Sequence, residues 1–251
     1  MASRHERRSR CDPDKATRHG LARAISKAGV CSRSEAARRV AAGRVQVDGR
    51  VVTDPEFPTV TGRSQVVLDG RALPSVRRMY LALNKPHGLV TSARDERGRE
   101  TVYACLREGG LPWVAPVGRL DKASEGLLLL SNDPEWAARI TDPELGPDKT
   151  YHVQVAARVG APLLAALERG VDAGGERLAA RHVRLLRQGG KNAWLEIVLD
   201  EGRNRHIRRL LAAHDIDVLR LVRVAIGDLR LGDLAKGQWR ELSAAEVAML
   251  A

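Results

Sequence analysis

Aromatic side chains and paired cysteines are what this sequence has least of. One Phe, three Tyr and four Trp among 251 residues require an aliphatic core and give weight to any tyrosine inside a motif. The three cysteines, Cys11, Cys31 and Cys105, are odd in number and far apart. That argues against a disulfide framework and a C-x-x-C redox or metal motif, and it fits a reducing cytoplasm. No apolar run approaches the roughly 20 residues of a membrane-spanning helix. The basic, polar start has no apolar segment of the kind a secretory signal needs. The phosphate loop G-x-x-x-x-G-K-[ST], the dinucleotide fingerprint G-x-G-x-x-G and the nucleophile elbow G-x-S-x-G are all missing. The seven histidines are dispersed, with no H-E-x-x-H or equivalent metal spacing. Nucleotide hydrolysis, dinucleotide redox chemistry, hydrolase-type acyl transfer and zinc catalysis lose ground accordingly. An enzyme built on this chain is expected to need no cofactor, no metal and no membrane.

Positive charge is in excess and unevenly placed. The net charge is +11, and residues 1–80 carry 17 Lys and Arg against 8 Asp and Glu, while the rest carries 25 against 23. A basic module joined to a near-neutral one points to a unit that docks on a polyanion, attached to something else. Arginine dominates, and its planar fork suits phosphate.

Residues 1–17 read as a disordered basic tail: short, charged and without periodicity. Leu21, Ile25 and Ala28 then recur at helical spacing, and Gly29 can close that helix. Ser32-Arg33-Ser34-Glu35 has the form of a capping box. It opens a helix over about 33–42 that carries Arg33, Arg38 and Arg39. Alternating valines, Val45 and Val47 before and Val51 and Val52 after, flank Asp48-Gly49, a strong hairpin signal. Two short helices, the second bearing arginines, followed by a tight hairpin resemble the S-four-type RNA-binding domain. The match is most specific over 28–36 and 43–49. The resemblance implies that Arg33, Arg38, Arg39 and Arg44 line a surface for structured RNA. We therefore expect an RNA-binding domain over 18–76, a linker near Pro74–Arg78 and a second domain over 77–251.

The second domain reads as short strands and helices in irregular alternation. The strands are Tyr80–Asn84, Leu127–Leu130, Tyr151–Val155, Leu195–Leu199, Val218–Ile226 and Leu229–Leu231, and Val114–Val117 leads into the loop before the leucines. The helices are Pro134–Thr141, Pro162–Arg169 and Arg205–His214, and 241–250 is mixed. The fold class is α+β: a small α+β module, then a mixed, largely antiparallel sheet with flanking helices.

The most informative stretch is Gly118-Arg119-Leu120-Asp121, followed by Gly126 and four leucines. A loop carboxylate beside a fixed positive charge and a strand of buried composition is a good place for a nucleophile or an acid and base. The plain alternative is a surface loop aspartate. A second candidate is the run Glu201 to Leu210. As a helix it turns Ile207 and Leu210 inward, Arg205 and Arg209 outward toward phosphates, and Arg208 along the boundary. An arginine there can lie across apolar surface and deliver its head group to a site. His206 reads as a helix-surface histidine.

These motifs together resemble the RsuA/RluB/RluE/RluF group of ribosomal RNA pseudouridine synthases. The resemblance is carried by Asn84-Lys85-Pro86-x-Gly88, the Asp121 motif, Lys149-x-Tyr151-x-Val153, Glu201 to Leu210, Arg220-Leu221-x-Arg223 with Gly227, and Gly237-x-Trp239-Arg240. It implies that Asp121 is the catalytic aspartate, that Tyr151 stacks on a flipped uracil, that Arg208 pairs with Asp121, that Leu221 packs near the base and that Arg119 helps hold it extruded. Lys85 matches a residue of mainly structural role. It is placed with Arg203, Asn204, Arg205 and Arg209 among the RNA-binding candidates. Ser124 and His206 depart from the commoner threonine and glutamine. The implied partner is ribosomal RNA or an assembling ribosomal particle, approached by a cytoplasmic monomer. The ending resembles the RluE branch and the N-terminal module RluB or RsuA, which points to the large subunit. The competing reading is a non-catalytic ribosome-assembly factor, and retention of Asp121, Tyr151 and Arg208 together separates the two.

Overall fold

Short apolar segments punctuated by turn residues fold, in the computed structural model, into two compact units, Met1–Val76 and Arg77–Ala251. The structure describes residues 18–60, 63–74 and 77–250. The tail expected over 1–17 lies outside the described residues.

In the first unit, strand β1 (Arg18–Gly20) leads into helices α1 (Leu21–Lys27) and α2 (Arg33–Ala41). Strands β2 (Val45–Val47), β3 (Arg50–Val52), β4 (Pro58–Val60), β5 (Val66–Leu68) and β6 (Arg71–Ala72) follow. The small sheet runs β3-β2-β5-β6, and β1 pairs with β4. Asp48 and Gly49 both take positive φ, the geometry a two-residue hairpin turn requires. Leu21, Ile25, Ala36, Val40, Val45 and Leu68 close an all-aliphatic core. Ser32 caps α2 by accepting from the Glu35 amide. The full capping box read from the sequence is not formed, because the Glu35 carboxylate turns to Arg38 and Arg39 instead.

The second unit contains, in chain order, β7 (Tyr80–Lys85), a 3₁₀ helix (Val102–Gly109), β8 (Ala115–Val117), β9 (Glu125–Ser131), α3 (Pro134–Thr141), β10 (Lys149–Val155) and α4 (Ala161–Arg169). It continues with β11 (Val171–Ala173), β12 (Glu176–Leu178), β13 (His182–Gln188), β14 (Ala193–Leu199), α5 (His206–Ala212), β15 (Val218–Ile226), β16 (Leu229–Arg230), β17 (Trp239–Glu241) and α6 (Ala244–Met249). The main sheet runs β13-β14-β10-β15-β9-β7-β17, with β16 on β15 and β8 on β9. One junction is parallel, β15 with β9, and the other pairings are antiparallel. This is the mixed, largely antiparallel sheet with flanking helices that the pattern predicts.

The four leucines are explained by β9 being covered on both faces. Leu127 and Leu129 pack with Trp136 and Ile140 of α3. Leu128 and Leu130 pack with Val102 and Leu106 of the 3₁₀ helix. Successive side chains on a strand point to opposite faces, so burial on both gives a continuous apolar run rather than alternation. A third cluster joins β10 and β14 to Leu167 of α4 and Leu210 of α5.

The parallel junction consists of two paired positions, Val222 with Glu125 and Arg223 with Gly126. Gly126 has φ +100, and a Cβ there would stand 2.2 Å from the Arg223 carbonyl oxygen. Only glycine lets the two backbones come this close.

Several elements depart from the sequence reading, among them the 3₁₀ helix and β17, which it does not include. The β11–β12 hairpin and β13 are not announced by the pattern, and 241–250 closes as α6. That helix has a reciprocal capping box between Ser243 and Glu246, a signal present in the sequence. The helix expected over Arg205–His214 spans only His206–Ala212, with Arg205 before it at φ 50. No helix among the described residues is long and apolar enough to cross a membrane.

Candidate active site

The loop that carries Asp121 is tied down along its backbone. Five consecutive carbonyls, from residue 120 to residue 124, each accept a hydrogen bond. Leu120 accepts from the Thr91 hydroxyl at 2.7 Å. Asp121 accepts from the Ser124 amide and Lys122 from the Gly88 amide. Ala123 accepts from Arg208 Nη2 at 3.1 Å, and Ser124 from Lys85 Nζ at 2.7 Å. The donors come from β7, the loop after it, α5 and the turn itself. With the backbone so held, the Asp121 carboxylate makes no hydrogen bond or ion pair to any described residue. It is half-buried and is left available to a ligand.

Asp121 opens onto a cavity of about 580 Å³ that Tyr151, Arg208, Leu221, Arg119, Arg203, Asn204 and Arg205 also line. Tyr151 projects from β10, opposite Ile197 on β14 and Arg223 on β15. Its ring is packed against two apolar clusters, which fixes its plane. Leu221, 7% exposed, sits opposite Val153 on the same face. Arg119, Arg203, Asn204 and Arg205 are exposed and form the charged rim. Among the described residues no group of three or more His, Cys, Asp or Glu side chains is placed to hold a metal ion.

Four expectations need correction. Arg208 does not touch Asp121. Its Nη1 and Nη2 donate to the carbonyls of Val218 and Ala123, while Nε is buried without a partner. Burial and the charge of Arg205 disfavour its cationic form, and the Asp121 charge opposes them across space; a guanidinium keeps its proton regardless. Arg209 is half-buried rather than turned outward, and the β11–β12 hairpin holds it through Glu176 Oε2 at 2.5 Å and the Ala173 carbonyl at 2.7 Å. His206 is not on the surface. It is 3% exposed, and Nδ1 stands 3.4 Å from Glu201. One turn before the buried Leu210, this position shares the inward face of α5. Burial lowers its pKa, with Glu201 opposing.

The fourth correction concerns Lys85, which has no exposed surface and cannot reach RNA. Its ammonium donates to Pro86 O and Ser124 O and so braces the Asp121 loop from below. Burial pulls its pKa from 10.5 down to about 8, with the charges of Glu125 and Asp121 opposing. The unfolded chain therefore holds this proton more tightly than the native one, so stability rises with pH across the window between the two values. The difference is worth about 3 kcal/mol. Urea unfolding at stepped pH should show wild type gaining on Lys85→Met between pH 8 and 10.5. Parallel curves for the two proteins would rule the ammonium out.

In the first unit, the arginines expected to face RNA stand on or beside α2 and are each ion-paired. Arg33 meets Glu56, Arg38 and Arg39 meet Glu35, and Arg44 forks onto Asp69 at 2.6 and 2.8 Å. Arg33, Arg38 and Arg44 are exposed and Arg39 is half-buried. Surface pairs of this kind are weak, so phosphates can compete for these groups.

A carboxylate left free in a cavity shared with an aromatic ring, rimmed by guanidinium groups and joined to a basic module, defines an enzyme that works on RNA. The comparisons give the class its name. Residues 79–213 match the RNA pseudouridylate synthase family, and residues 20–61 match the S4 domain. An uncharacterized RNA pseudouridine synthase of Aquifex aeolicus is 38% identical over 228 residues, covering 90% of this chain and 91% of the relative. The ribosomal large subunit pseudouridine synthase B of Bacillus subtilis is 35% identical over 233 residues, covering 92% and 94%. A crystal structure of a pseudouridylate synthase superposes with a TM-score of 0.64 at 29% identity, covering 93% of this chain and all of that one. The chain belongs to the RNA pseudouridylate synthase family, and is an RNA pseudouridine synthase carrying an S-four-type module.

Proposed function

We propose that this protein converts a specific uridine of large-subunit ribosomal RNA to pseudouridine, in the cytoplasm and without a cofactor, with Asp121 as the catalytic residue. The observation that carries the reading is one cavity in which an unpaired carboxylate, held by a fully tied loop, faces Tyr151, Leu221 and Arg208. The subunit assignment follows the relatives from Bacillus subtilis and Salmonella typhimurium that are named ribosomal large subunit pseudouridine synthase B.

The isomerisation detaches uracil from the sugar at nitrogen 1, turns it and rejoins it at carbon 5. Reaching the glycosidic bond takes the nucleoside out of the stack. Tyr151 offers a rigid face for the everted ring, and Leu221 the apolar contact beside it. Arg119 and Arg205 at the rim meet the adjoining phosphates. Asp121 acts as an ionised carboxylate on the base, on the sugar carbon or on a sugar proton. Arg208 supports that charge across space while its head group braces the loop. A pure RNA-binding factor has no use for this carboxylate, which repels phosphate from the middle of the binding surface. That argument favours catalysis over assembly alone.

Pseudouridine mapping of ribosomal RNA from cells lacking the protein tests the reading. One site, or a few, should be lost and regained with the wild-type gene; an unchanged map would reject it. The basic module gives a separate expectation. A chain starting at residue 77 keeps the whole second unit but loses the arginines of the first. Its affinity for the RNA should fall and its salt slope should flatten, by about one for each phosphate that the first unit neutralises. Identical binding curves across a salt series would remove the docking role.

A further inference from the structure

Two cations stand in the cavity wall with nothing to neutralise them. Lys149 is 9% exposed and Arg223 is 5% exposed, and both line the cavity. Lys149 makes no side-chain hydrogen bond or ion pair to any described residue. Burial first, and then the charge of Arg223, disfavour its ammonium, while Asp148 and Asp200 act on it only from a distance. Asp148 is itself held by Arg181 at 2.9 Å. Arg223 spends Nε on the Leu127 carbonyl at 2.7 Å, and its Nη2 is buried with no partner. Arg223 Nη2 is sealed from solvent, whereas Lys149 Nζ, on a largely buried side chain, stays open at the cavity wall; two like charges so placed, without a carboxylate against either among the described residues, oppose folding. Lys149 in particular returns no hydrogen bond for its burial. Such violations are expected where a ligand completes the arrangement.

The strand register says which part of a ligand that is. Tyr151 on β10 lies directly opposite Arg223 on β15, and opposed side chains share a face with their Cβ atoms roughly 5 Å apart. Lys149 precedes Tyr151 by two residues and therefore shares that face as well. The two cations thus flank the ring on which the base would stack. Of the exposed arginines of the rim, Arg203 is engaged by Glu201 and the Arg177 carbonyl, and Arg119 and Arg205 are the ones placed for phosphates.

We propose that Lys149 and Arg223 bind the carbonyl oxygens of the everted uracil and carry the negative charge the ring acquires when it leaves the sugar. This rests on the function proposed above. In that step the C1′–N1 bond breaks and its electron pair stays with the ring, giving a uracil anion delocalised over N1, O2 and O4. The sugar carbon is left bonded to the Asp121 carboxylate, or the sugar gives up its C2′ proton to it. The ring then uses an electron pair to form the C1′–C5 bond, the C5 proton ends on N1, and Asp121 is released or returns the C2′ proton. Atoms and charge balance with no further reactant. Fixed cations aimed at the site of developing charge accelerate such a step. They also hold the detached ring while it turns.

The test uses the full chain with Lys149→Met, Lys149→Arg and Arg223→Gln. The readouts are thermal melting, affinity for a ribosomal RNA fragment containing the mapped site, and single-turnover conversion at saturating RNA. Lys149→Met removes a buried unpaired charge and should melt no lower than wild type. It should bind RNA within about 3-fold of wild type and convert it about 10²–10³-fold more slowly. Lys149→Arg should restore most of the rate, and Arg223→Gln should be slow in any fraction that folds. Conversion by Lys149→Met within about 3-fold of an active wild type overturns this inference alone. So does a loss confined to RNA affinity, which would make Lys149 a phosphate contact. Equal slowing by the Met and Arg variants would assign it a packing role and has the same consequence. A wild type that leaves every RNA unmodified overturns this inference and the proposed function together.

Discussion

Asp121→Asn should abolish pseudouridine formation while leaving the protein folded and able to bind RNA. The carboxylate makes no hydrogen bond or ion pair with a described residue, so the isosteric amide removes no direct contact, only the longer-range attraction to Arg208 and Lys85. The five loop carbonyls from residue 120 to 124 keep their donors. Stability should therefore stay within about 0.5 kcal/mol of wild type. An amide cannot act as an ionised nucleophile or base, so the single-turnover rate should fall on the order of 10⁴-fold or more. Removing a negative charge from a surface that meets phosphates should leave RNA affinity unchanged or tighter, most visibly at low salt. In cells lacking the protein, the wild-type gene should restore the missing pseudouridine and the Asn variant should not. Restoration by Asn would dismiss Asp121 as the catalyst. A variant that fails for want of RNA binding would show that the carboxylate serves the complex rather than the chemistry.

Gly126→Ala is expected to be the most damaging small substitution in the second unit. The added Cβ would lie 2.2 Å from the Arg223 carbonyl and 2.8 Å from its amide nitrogen, at φ +100. The positive φ alone costs about 1 kcal/mol, and a backbone cannot yield to the clash as a side-chain end can. The strain falls where β9 meets β15, a junction of two paired positions. Asp121 enters from the β9 side of that junction, while Tyr151, Arg208 and Leu221 belong to the other. Parting the strands both loosens the fold and separates the carboxylate from the ring. We expect a loss of more than about 4 kcal/mol in urea unfolding, with little conversion by whatever remains native. A midpoint close to that of wild type would show that the junction tolerates a wider spacing.

Much of the architecture was legible because it rests on local patterns. The Asp48-Gly49 hairpin, the leucine run of β9, helix α3 and strand β15 are each announced by neighbouring residues. The β11–β12 hairpin and β13 are not. Their residues are mostly exposed and polar, and β13 is an edge strand supported by β14 on one side only, so there is little apolar periodicity to read. Helix α6 escapes the pattern although Ser243 and Glu246 announce it, because Ala244, Ala245, Val247, Ala248, Met249 and Leu250 are nearly all apolar and leave no polar face to mark a helical period. At the site, Asp121, Tyr151, Leu221 and Arg208 were picked out by motif and line one cavity. Lys149 and Arg223 were visible only as motif letters, since nothing local distinguishes a buried cation on a strand from an exposed one.

The kind of chemistry on offer was settled before folding: one loop carboxylate, one tyrosine in a motif, many guanidinium groups, and none of the residue spacings that other enzyme classes need. Residue type and short-range spacing carry that information, because they are properties of the chain in any conformation. Which of the cations are available is a different matter, and it took the folded arrangement to determine it. Glu176 takes Arg209, the Ser124 carbonyl takes Lys85, and the Val218 carbonyl helps hold Arg208 away from Asp121, whereas no described residue takes Lys149. Each of those partners arrives from a different segment of the chain, brought there by strand order and register, and a hydrogen bond depends on distance in space rather than along the sequence.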